Sequence, residues 1–205
     1  MDIRAATGRD IDWATETIVL AFATDPVWGV ALAGADGSVA HHVPYWRLFV
    51  ASAQRQGGVH LLDDGAAVSV WIPPGGLELD DDGLFALEAL TQHALGPAGA
   101  RDLEELFERF EANHPHHVPH AYLSLLATHP DHRGRGIGQA LLAANLADWD
   151  GAGVPTYLES TNPANDHRYE RAGFRPFGGF RAVRDNAPIT TMWREIGGRP
   201  PLEVA

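Results

Sequence analysis

The stretch HPDHRGRGIGQALL, at residues 129–142, decides the fold of this chain. It follows an apolar run, AYLSLLAT at 121–128, and leads into an amphipathic run that continues to residue 153. This order predicts a buried strand, a glycine-rich turn and a helix. Such a turn directs successive backbone N–H groups into one concavity, where the helix dipole also favours negative charge. The stretch therefore predicts a binding site for a phosphate or pyrophosphate group.

Two common phosphate-binding motifs do not fit this turn. The P-loop ends in Gly-Lys-Ser/Thr, and the chain contains no lysine. A GxGxxG dinucleotide motif that began at Gly136 would need glycine at position 141, which is leucine. Taken alone, the glycines could equally be a packing connector. The ligand of the turn therefore has to be inferred from the elements around it.

Hydrophobic periodicity and turn residues place the other elements. The predicted strands cover 3–7, the two arms of a hairpin within 59–75, 121–128, 154–161 and the two arms of a closing hairpin within 178–196. The predicted helices cover about 11–25, 40–55, 84–111 (broken at 96–99), 136–153 and 163–174. This order predicts an α/β (mixed α+β) fold, with a mostly antiparallel sheet and helices on both faces.

Composition narrows the class of protein. The chain has 205 residues, of which 45% are hydrophobic and 20% charged, as expected for one compact domain. It has no cysteine, which excludes a disulfide framework, thiolate metal ligands and a cysteine nucleophile. A net charge of −12 argues against nucleic-acid binding. No signal-peptide pattern and no long apolar segment occurs, so we expect a cytoplasmic protein that does not associate with membranes.

Several ordered motifs resemble those of one enzyme superfamily. The pattern Arg-x-x-Gly-x-Gly at 133–138, after a strand that ends in Thr-His-Pro, resembles the coenzyme-A loop of GNAT acyltransferases. LESTNPANDHRYERAGF at 158–174 is similar to the second signature of that superfamily. DDGAAVSVWIPP at 63–74 and HAYLSLLATHP at 120–130 resemble its puromycin N-acetyltransferase branch. The resemblance implies one acyl-CoA N-acyltransferase domain over residues 1–205, with a splayed central sheet and a helical insertion at about 84–111.

The resemblance implies acetyl-CoA as the acyl-donor co-substrate. Loop amides would hold its pyrophosphate, and the end of the preceding strand would bond the pantetheine arm and polarise the thioester carbonyl. An asparagine either seven or four residues before Tyr169 would also contact it, although either asparagine could instead cap a helix. The implied cofactor-binding residues are Leu126, Ala127, Thr128, Arg133, Gly134, Arg135, Gly136, Ile137, Gly138, Gln139, Asn162 and Asn165.

The resemblance also assigns catalytic and acceptor-binding residues. Tyr169, four residues before Gly-Phe, would protonate the departing thiolate as a general acid. Glu159 would accept a proton from the acceptor ammonium, or anchor it. Many relatives carry a glutamate base where this chain has Tyr122, so Tyr122 and Ser124 are expected to line the acceptor pocket. Its apolar walls are expected from Trp28 and Trp71.

A histidine cluster precedes the strand at 121–128. It consists of His114, His116, His117 and His120, and the cluster raises the question of a zinc site. Prolines at 115 and 119 impose extended backbone, and no recurrent ligand spacing is completed. We therefore expect no metal, and His120, nearest the strand, is a candidate base.

These features predict an enzyme that transfers the acetyl group of acetyl-CoA to the primary amine of a small molecule. Without a cysteine for an acyl-enzyme, direct attack within a ternary complex is expected. Two other readings remain: a protein or peptide N-acetyltransferase, and a non-catalytic CoA-binding regulatory module. A monomer and a homodimer are both compatible with the sequence.

Overall fold

A computed structural model describes residues 2–34, 36–63 and 65–198. Its strands are β1 (Ile3–Ala5), β2 (Val59–Leu62), β3 (Ala67–Ile72), β4 (Ala121–Thr128), β5 (Thr156–Ser160), β6 (Arg175–Arg181) and β7 (Pro188–Arg194). Its α-helices are α1 (Ile11–Phe22), α2 (Trp28–Ala31), α3 (His42–Arg55), α4 (Asp81–Asn113), α5 (Ile137–Ala152) and α6 (Asp166–Arg171). Short 3-10 turns, Pro130–His132 and Pro163–Asn165, precede the glycine turn and α6.

All seven strands form a single sheet in the order β1-β2-β3-β4-β5-β7-β6. Every neighbouring pair is antiparallel except β4 and β5, which run parallel. That parallel pair is registered only at Ala121 opposite Thr156 and Tyr122 opposite Tyr157. Beyond these residues β4 and β5 separate, and the sheet opens into a cleft. The mostly antiparallel, splayed α/β architecture predicted from the sequence is confirmed.

A bulge in β4 changes the direction of its side chains. Val70 of β3 lies opposite Leu125, whereas the next residue, Trp71, lies opposite Leu123, so Ser124 is an extra residue in β4. Leu123 packs on the face of the sheet that carries α5, and Leu125 packs on the opposite face. The bulge therefore lets side chains near the start of β4 and near its end serve different sites.

The helices cover both faces of the sheet. On one face, α5 buries Leu141, Leu142 and Leu146 against the central strands. On the other face, α1, α3 and α4 enclose a larger core that includes the fully buried Tyr45 and Val50. Gly153, in the left-handed region at φ 69°, ends α5.

Helix α4 is longer than the helical segment predicted for residues 84–111. Asp80 caps it, and the Asp80 Oδ1 atom accepts a hydrogen bond of 2.9 Å from the Gly83 N–H. Inside the helix, Gly96 has φ 69° and ψ 174°, and Pro97 follows. The chain therefore changes direction at the predicted break, and the two halves of α4 meet at an angle.

Three local predictions need comment. The first helix ends at Phe22 rather than at Asp25, and the short helix α2 that follows was not predicted. The last hairpin begins at Arg175, three residues earlier than predicted. The predicted turn between β2 and β3 includes residue 64, which lies outside the described residues. No helix within the described ranges is long and apolar enough to cross a membrane.

Candidate active site

A first cavity, with a volume of about 550 Å³, lies where β4 and β5 separate. Most of the residues that the sequence assigned to the cofactor line it: Leu126, Thr128, Arg133, Gly134, Gly136, Ile137, Gly138, Gln139, Asn162 and Asn165. The predicted catalytic acid, Tyr169, lines it as well. The side chain of Ala127 is buried in the core on the other face of the sheet, so only its backbone could serve a ligand. The side chain of Arg135 does not line the cavity either.

The glycine turn is shaped to bind an anion. Gly134 and Gly136 have φ of 78° and 75°, in the left-handed region that favours glycine. The N–H groups of residues 134–139 donate to no acceptor among the described residues. They lie in the turn and the first turn of α5, where the helix dipole adds positive partial charge. Five of these six residues, all except Arg135, line the cavity, and their orphaned amides fit a pyrophosphate group.

Gly138 is needed for a different reason, which is the close approach of α5 to the end of β4. A Cβ atom at this position would lie 2.5 Å from the Thr128 Oγ1 atom. Both residues line the cavity. A side chain at position 138 would therefore displace Thr128 and change the cavity wall.

Both candidate asparagines line the first cavity, and each already makes a local hydrogen bond. The Asn162 Oδ1 atom accepts a hydrogen bond of 3.1 Å from the Ala164 N–H and so caps a 3-10 turn. The Asn165 Oδ1 atom accepts one of 2.9 Å from the Arg168 guanidinium. The geometry leaves both as cofactor-binding candidates, since each amide nitrogen is still available to donate.

Tyr169 stands on α6 beside this cavity. Its ring packs against Phe174 with a centroid separation of 6.2 Å, and its hydroxyl bonds to no described residue. Burial, and then the negative charges of Asp25 and Asp166, raise the pKa of Tyr169 to about 12. The phenol therefore keeps its proton at neutral pH and can donate it to a stronger base in the cavity.

Asp25 connects the elements around the first cavity. Its Oδ1 atom accepts hydrogen bonds from the N–H groups of Val27 (2.9 Å) and Trp28 (3.0 Å). Its Oδ2 atom accepts one of 2.9 Å from the Thr161 hydroxyl, just after β5. Burial raises the pKa of Asp25. The carboxylate thus holds the end of α1 against the far wall of the cleft.

A second, larger cavity of about 1030 Å³ borders the start of β4. Both halves of α4 and the segments after β3 and after α4 enclose it. Phe49, Phe107 and Phe110 give it an apolar wall, while Tyr122 and Glu159 reach it from the two splayed strands. This volume is ample for a small organic acceptor. Tyr122 and Leu126 of one strand thus line two different cavities, four residues or about 13 Å apart.

Glu159 is a deeply buried carboxylate of the second cavity. Its side chain is 2% exposed, and by geometry neither oxygen makes a hydrogen bond to a described residue. Its neighbours are the His114 Nδ1 atom, 3.6 Å from its Oε1 atom, and the phenols of Tyr122 and Tyr157. Burial, together with the negative charge of Glu159, raises the pKa of both Tyr122 and Tyr157. A buried carboxylate in such a setting favours a cation beside it.

Two histidines form a directed chain that ends at Glu159. The His120 Nδ1 atom lies 2.7 Å from the Val118 carbonyl, which can only accept, so this nitrogen carries the hydrogen. Burial lowers the pKa of His120 and keeps the ring neutral, which leaves its Nε2 atom as an acceptor. The His114 Nε2 atom, 3.0 Å away, must then donate. The remaining His114 nitrogen, Nδ1, faces the Glu159 carboxylate.

Glu78 is a candidate that the sequence did not reveal. It lies after β3 and lines the second cavity, where the hydroxyl of Ser124, the extra residue of the bulge, donates a hydrogen bond to it. Burial is the main cause that raises the pKa of Glu78 to about 7, and the charge of Glu159 adds to it. Its sequence context, GGLELDD, is that of an ordinary acidic loop. The contact between Glu78 and Ser124 depends on the bulge in β4, which the sequence does not indicate.

The two tryptophans predicted as acceptor walls lie elsewhere, and these predictions are corrected. Trp71 is fully buried beneath α5, where its indole N–H donates a hydrogen bond of 3.0 Å to the Asn145 Oδ1 atom. Trp28 is 8% exposed and packs against Trp46 and Phe110, behind the wall of the second cavity. Strand alternation directs Trp71 away from the cavity, and the phenylalanines of α4 cover Trp28.

The histidine cluster is not arranged as a metal site. No group of three or more His, Asp or Glu side chains within residues 2–34, 36–63 and 65–198 could hold a metal ion. The contacts of His114 and His120 are hydrogen bonds and ring packing against Tyr157, with centroid separations of 4.8 and 5.5 Å. Their arrangement suits proton transfer.

Comparison with known proteins defines the class of enzyme. Residues 95–176, from the break in α4 to β6, match the family model described as the acetyltransferase (GNAT) domain. This region includes the glycine turn, Glu159 and Tyr169. This match supports acyltransferase activity for the chain.

Solved structures resemble the chain over nearly its whole length. One is described as histone acetyltransferase HPA2 and related acetyltransferase from Corynebacterium glutamicum, with 26% identity, a TM-score of 0.69 and 98% of both chains covered. Arylalkylamine N-acetyltransferase 2 from Aedes aegypti is 13% identical, with a TM-score of 0.68 and coverage of 95% of this chain and 98% of that one. The ribosomal-protein-S18-alanine N-acetyltransferase from Escherichia coli is 16% identical, with a TM-score of 0.51 and coverage of 95% and 93%.

Proposed function

We propose that this protein transfers the acetyl group of acetyl-CoA to the primary amine of a small molecule by direct attack in a ternary complex. The observation that carries the proposal is the row of orphaned amides at residue 134 and residues 136–139, in a cavity that Tyr169 also lines. Acetyl-CoA, when bound, supplies the activated thioester. The residues of this chain bind it, orient the amine and manage two protons.

The first proton leaves the acceptor. An amine enters the second cavity as an ammonium ion, attracted by the unpaired carboxylate of Glu159. His114 presents its free Nδ1 atom beside that carboxylate, held in this tautomer by His120. His114 accepts the ammonium proton, and the imidazolium that forms is stabilised by Glu159. The neutral amine is then a nucleophile.

The second proton goes to the leaving group. The amine nitrogen attacks the thioester carbonyl carbon, and the carbon–sulfur bond breaks as the amide forms. Tyr169 gives its phenolic proton to the departing thiolate. The amide nitrogen then releases one proton, which restores the Tyr169 phenol through solvent, and His114 releases the proton that it took from the ammonium ion to bulk water. Backbone amides at the open edge of β4, from Leu126 to Thr128, stabilise the negative charge on the carbonyl oxygen.

The acceptor side supports a small amine with an apolar part. The second cavity combines an apolar wall with a buried carboxylate, and its 1030 Å³ lies at the upper end of the range for small-molecule sites. An arylalkylamine N-acetyltransferase is among the structural neighbours, and the sequence resembles the puromycin N-acetyltransferase branch. Both agree with a small-molecule acceptor.

A free-thiol assay tests the proposal. The protein is incubated with acetyl-CoA and a panel of amines, and the release of CoA is followed with a thiol reagent while acetyl-CoA binding is measured by calorimetry. We expect amine-dependent release of CoA and an N-acetylated product by mass spectrometry. Binding of acetyl-CoA without release in the presence of any amine would refute the proposed function.

A further inference from the structure

A row of carboxylates on α4 extends along the second cavity, away from the reacting end. Glu104, Glu108 and Glu111 all line this cavity and stand three or four residues apart. Residues at such spacing share one helix face, with about 5–6 Å between neighbouring side chains. Over seven residues, the row runs for about 10 Å along the helix.

The row begins next to the proposed reaction centre. The Glu111 Oε1 atom lies 3.6 Å from the His116 Nε2 atom, and the His116 ring is 5.7 Å from that of His114. His114 in turn contacts Glu159. Through these contacts the carboxylates follow one another in the order Glu159, Glu111, Glu108 and Glu104.

The charge of this cavity is not balanced by the protein. No arginine lines it among the described residues, although the chain contains fifteen. Glu104 and Glu108 form no ion pair with a described residue. The neighbouring Glu105, by contrast, is paired with Arg109 and does not line the cavity. Glu159 provides a second sign of a cationic ligand, since its side chain is buried and, within the described ranges, makes no hydrogen bond, with His114 Nδ1 at 3.6 Å beside it.

Apolar groups alternate with these carboxylates. Phe107 and Phe110 line the cavity from the same helix, interleaved with Glu104, Glu108 and Glu111. A linear polyamine has the matching pattern, because its ammonium groups are separated by three or four methylenes. With bond lengths of about 1.5 Å, that separation is about 5–6 Å between nitrogens.

The geometry points to a linear di- or polyamine as the acceptor, with its reacting terminal amine at Glu159 and its remaining ammonium groups along Glu111, Glu108 and Glu104. This inference rests on the proposed acetyl transfer. The methylenes pack on Phe107 and Phe110, and only the terminal nitrogen loses a proton and gains the acetyl group. The cavity is bounded by both halves of α4, which favours a small molecule over a basic peptide.

Steady-state kinetics with matched amines test this inference. The probes are spermidine, a linear triamine, and two monoamines, n-butylamine and 2-phenylethylamine. We expect kcat/KM to be highest for spermidine, and to fall more steeply with salt than for the monoamines, since exposed charges are screened. In the variant Glu104→Gln/Glu108→Gln, we expect KM for spermidine to rise about tenfold with unchanged kcat, and KM for the monoamines to change less than twofold.

A matched variant controls for net charge. Glu16→Gln/Glu105→Gln removes the same two charges from exposed helical positions that line neither cavity. It is expected to leave KM for spermidine unchanged. Calorimetric titration of spermidine into both variants, with CoA present, reports binding without turnover.

Three outcomes would overturn the inference while the proposed function stands: a monoamine preferred over spermidine, equal KM changes in the two double variants, or a lysine-containing pentapeptide preferred over spermidine. Failure of the proposed function would give a different result from these three outcomes: acetyl-CoA would bind, but no amine would cause release of CoA.

Discussion

The Nε2 atoms of His114 and His120 lie 3.0 Å apart, and only one of them can carry the hydrogen between them. The Val118 carbonyl oxygen accepts a hydrogen bond of 2.7 Å from the other His120 nitrogen, Nδ1. The His120 Nε2 atom is therefore the acceptor, and the hydrogen between the two rings belongs to His114. The consequence is that the other His114 nitrogen, Nδ1, faces Glu159, 3.6 Å from its Oε1 atom. A backbone carbonyl thus sets the direction in which the acceptor site can move a proton.

His114→Ala is expected to lower kcat/KM for amines by roughly 100-fold at pH 7, because the proton acceptor is lost. His120→Phe is expected to cost less, since the His114 imidazole remains and only its orientation is lost. Stopped assays over pH 6–9, with and without added imidazole, measure both effects. Imidazole should restore part of the activity of His114→Ala.

The control variant is His93→Ala, because His93 is exposed and lies outside the second cavity. Wild-type rates in His114→Ala at every pH would contradict this role.

Tyr169→Phe is expected to reduce kcat by roughly 100-fold or more, with little change in the Kd of acetyl-CoA, because only the proton donor is removed. Single-turnover kinetics and calorimetry separate the two quantities. Tyr45→Phe serves as the control, since the Tyr45 hydroxyl is fully buried, has no hydrogen-bond partner and lines neither cavity. Equal turnover in Tyr169→Phe and Tyr45→Phe would remove Tyr169 from the mechanism.

Gly138→Ala is expected to weaken acetyl-CoA binding about tenfold, because its Cβ atom would lie 2.5 Å from the Thr128 hydroxyl in the cavity wall. Gly151→Ala lies in the same helix with open space around it. It should leave the affinity unchanged and stabilise the fold by about 0.5–1 kcal/mol. Calorimetric Kd values and thermal unfolding measure these effects. An unchanged Kd in Gly138→Ala would show that the close approach is dispensable.

Glu78→Gln is expected to change how stability depends on pH. The folded protein raises the pKa of Glu78 from its ordinary 4.5 to about 7, so the unfolded chain releases this proton first as pH rises. This carboxyl therefore favours the folded state below pH 4.5, and its contribution is lost as the pH rises through 7. The Tm of Glu78→Gln relative to wild type should increase between pH 4.5 and pH 8, by roughly 2–4 °C if about 1 kcal/mol is involved. Parallel Tm curves, as expected for Glu105→Gln, would contradict the shift.

Trp71→Phe is expected to affect stability and not acceptor binding. The change removes the 3.0 Å hydrogen bond to Asn145 and leaves a small void beneath α5. A loss of about 2 kcal/mol, or roughly 4–8 °C in Tm, follows. KM for amines should stay at the wild-type value. A selective rise in KM would restore Trp71 as part of the acceptor site.

Most of the fold and most residues of the first cavity could be predicted from the sequence, because they belong to elements that are adjacent in the chain. The glycine turn, its strand and its helix are contiguous, so periodicity predicted these elements, and the resemblance to one superfamily's loop then assigned residues within 126–139 to the cofactor. The acceptor cavity is assembled from distant segments. Glu78 and Glu159 are 81 positions apart, and only the packing of β3, β4 and α4 brings them together. Trp71 was misplaced because its apolar character said nothing about which face of β3 it would occupy.

The extra residue at Ser124 also has a consequence for how such an enzyme can change over time. Because the bulge offsets the two ends of β4, replacements around Tyr122 reshape the acceptor cavity while Leu126 and Thr128 keep their places beside the glycine turn. Deleting that one residue would leave Trp71 opposite Leu123 and Ile72 opposite Tyr122, but it would remove the local bend and the Ser124 hydroxyl that bonds Glu78. The two cavities thus draw on different residues of one strand, and each can be altered without the other.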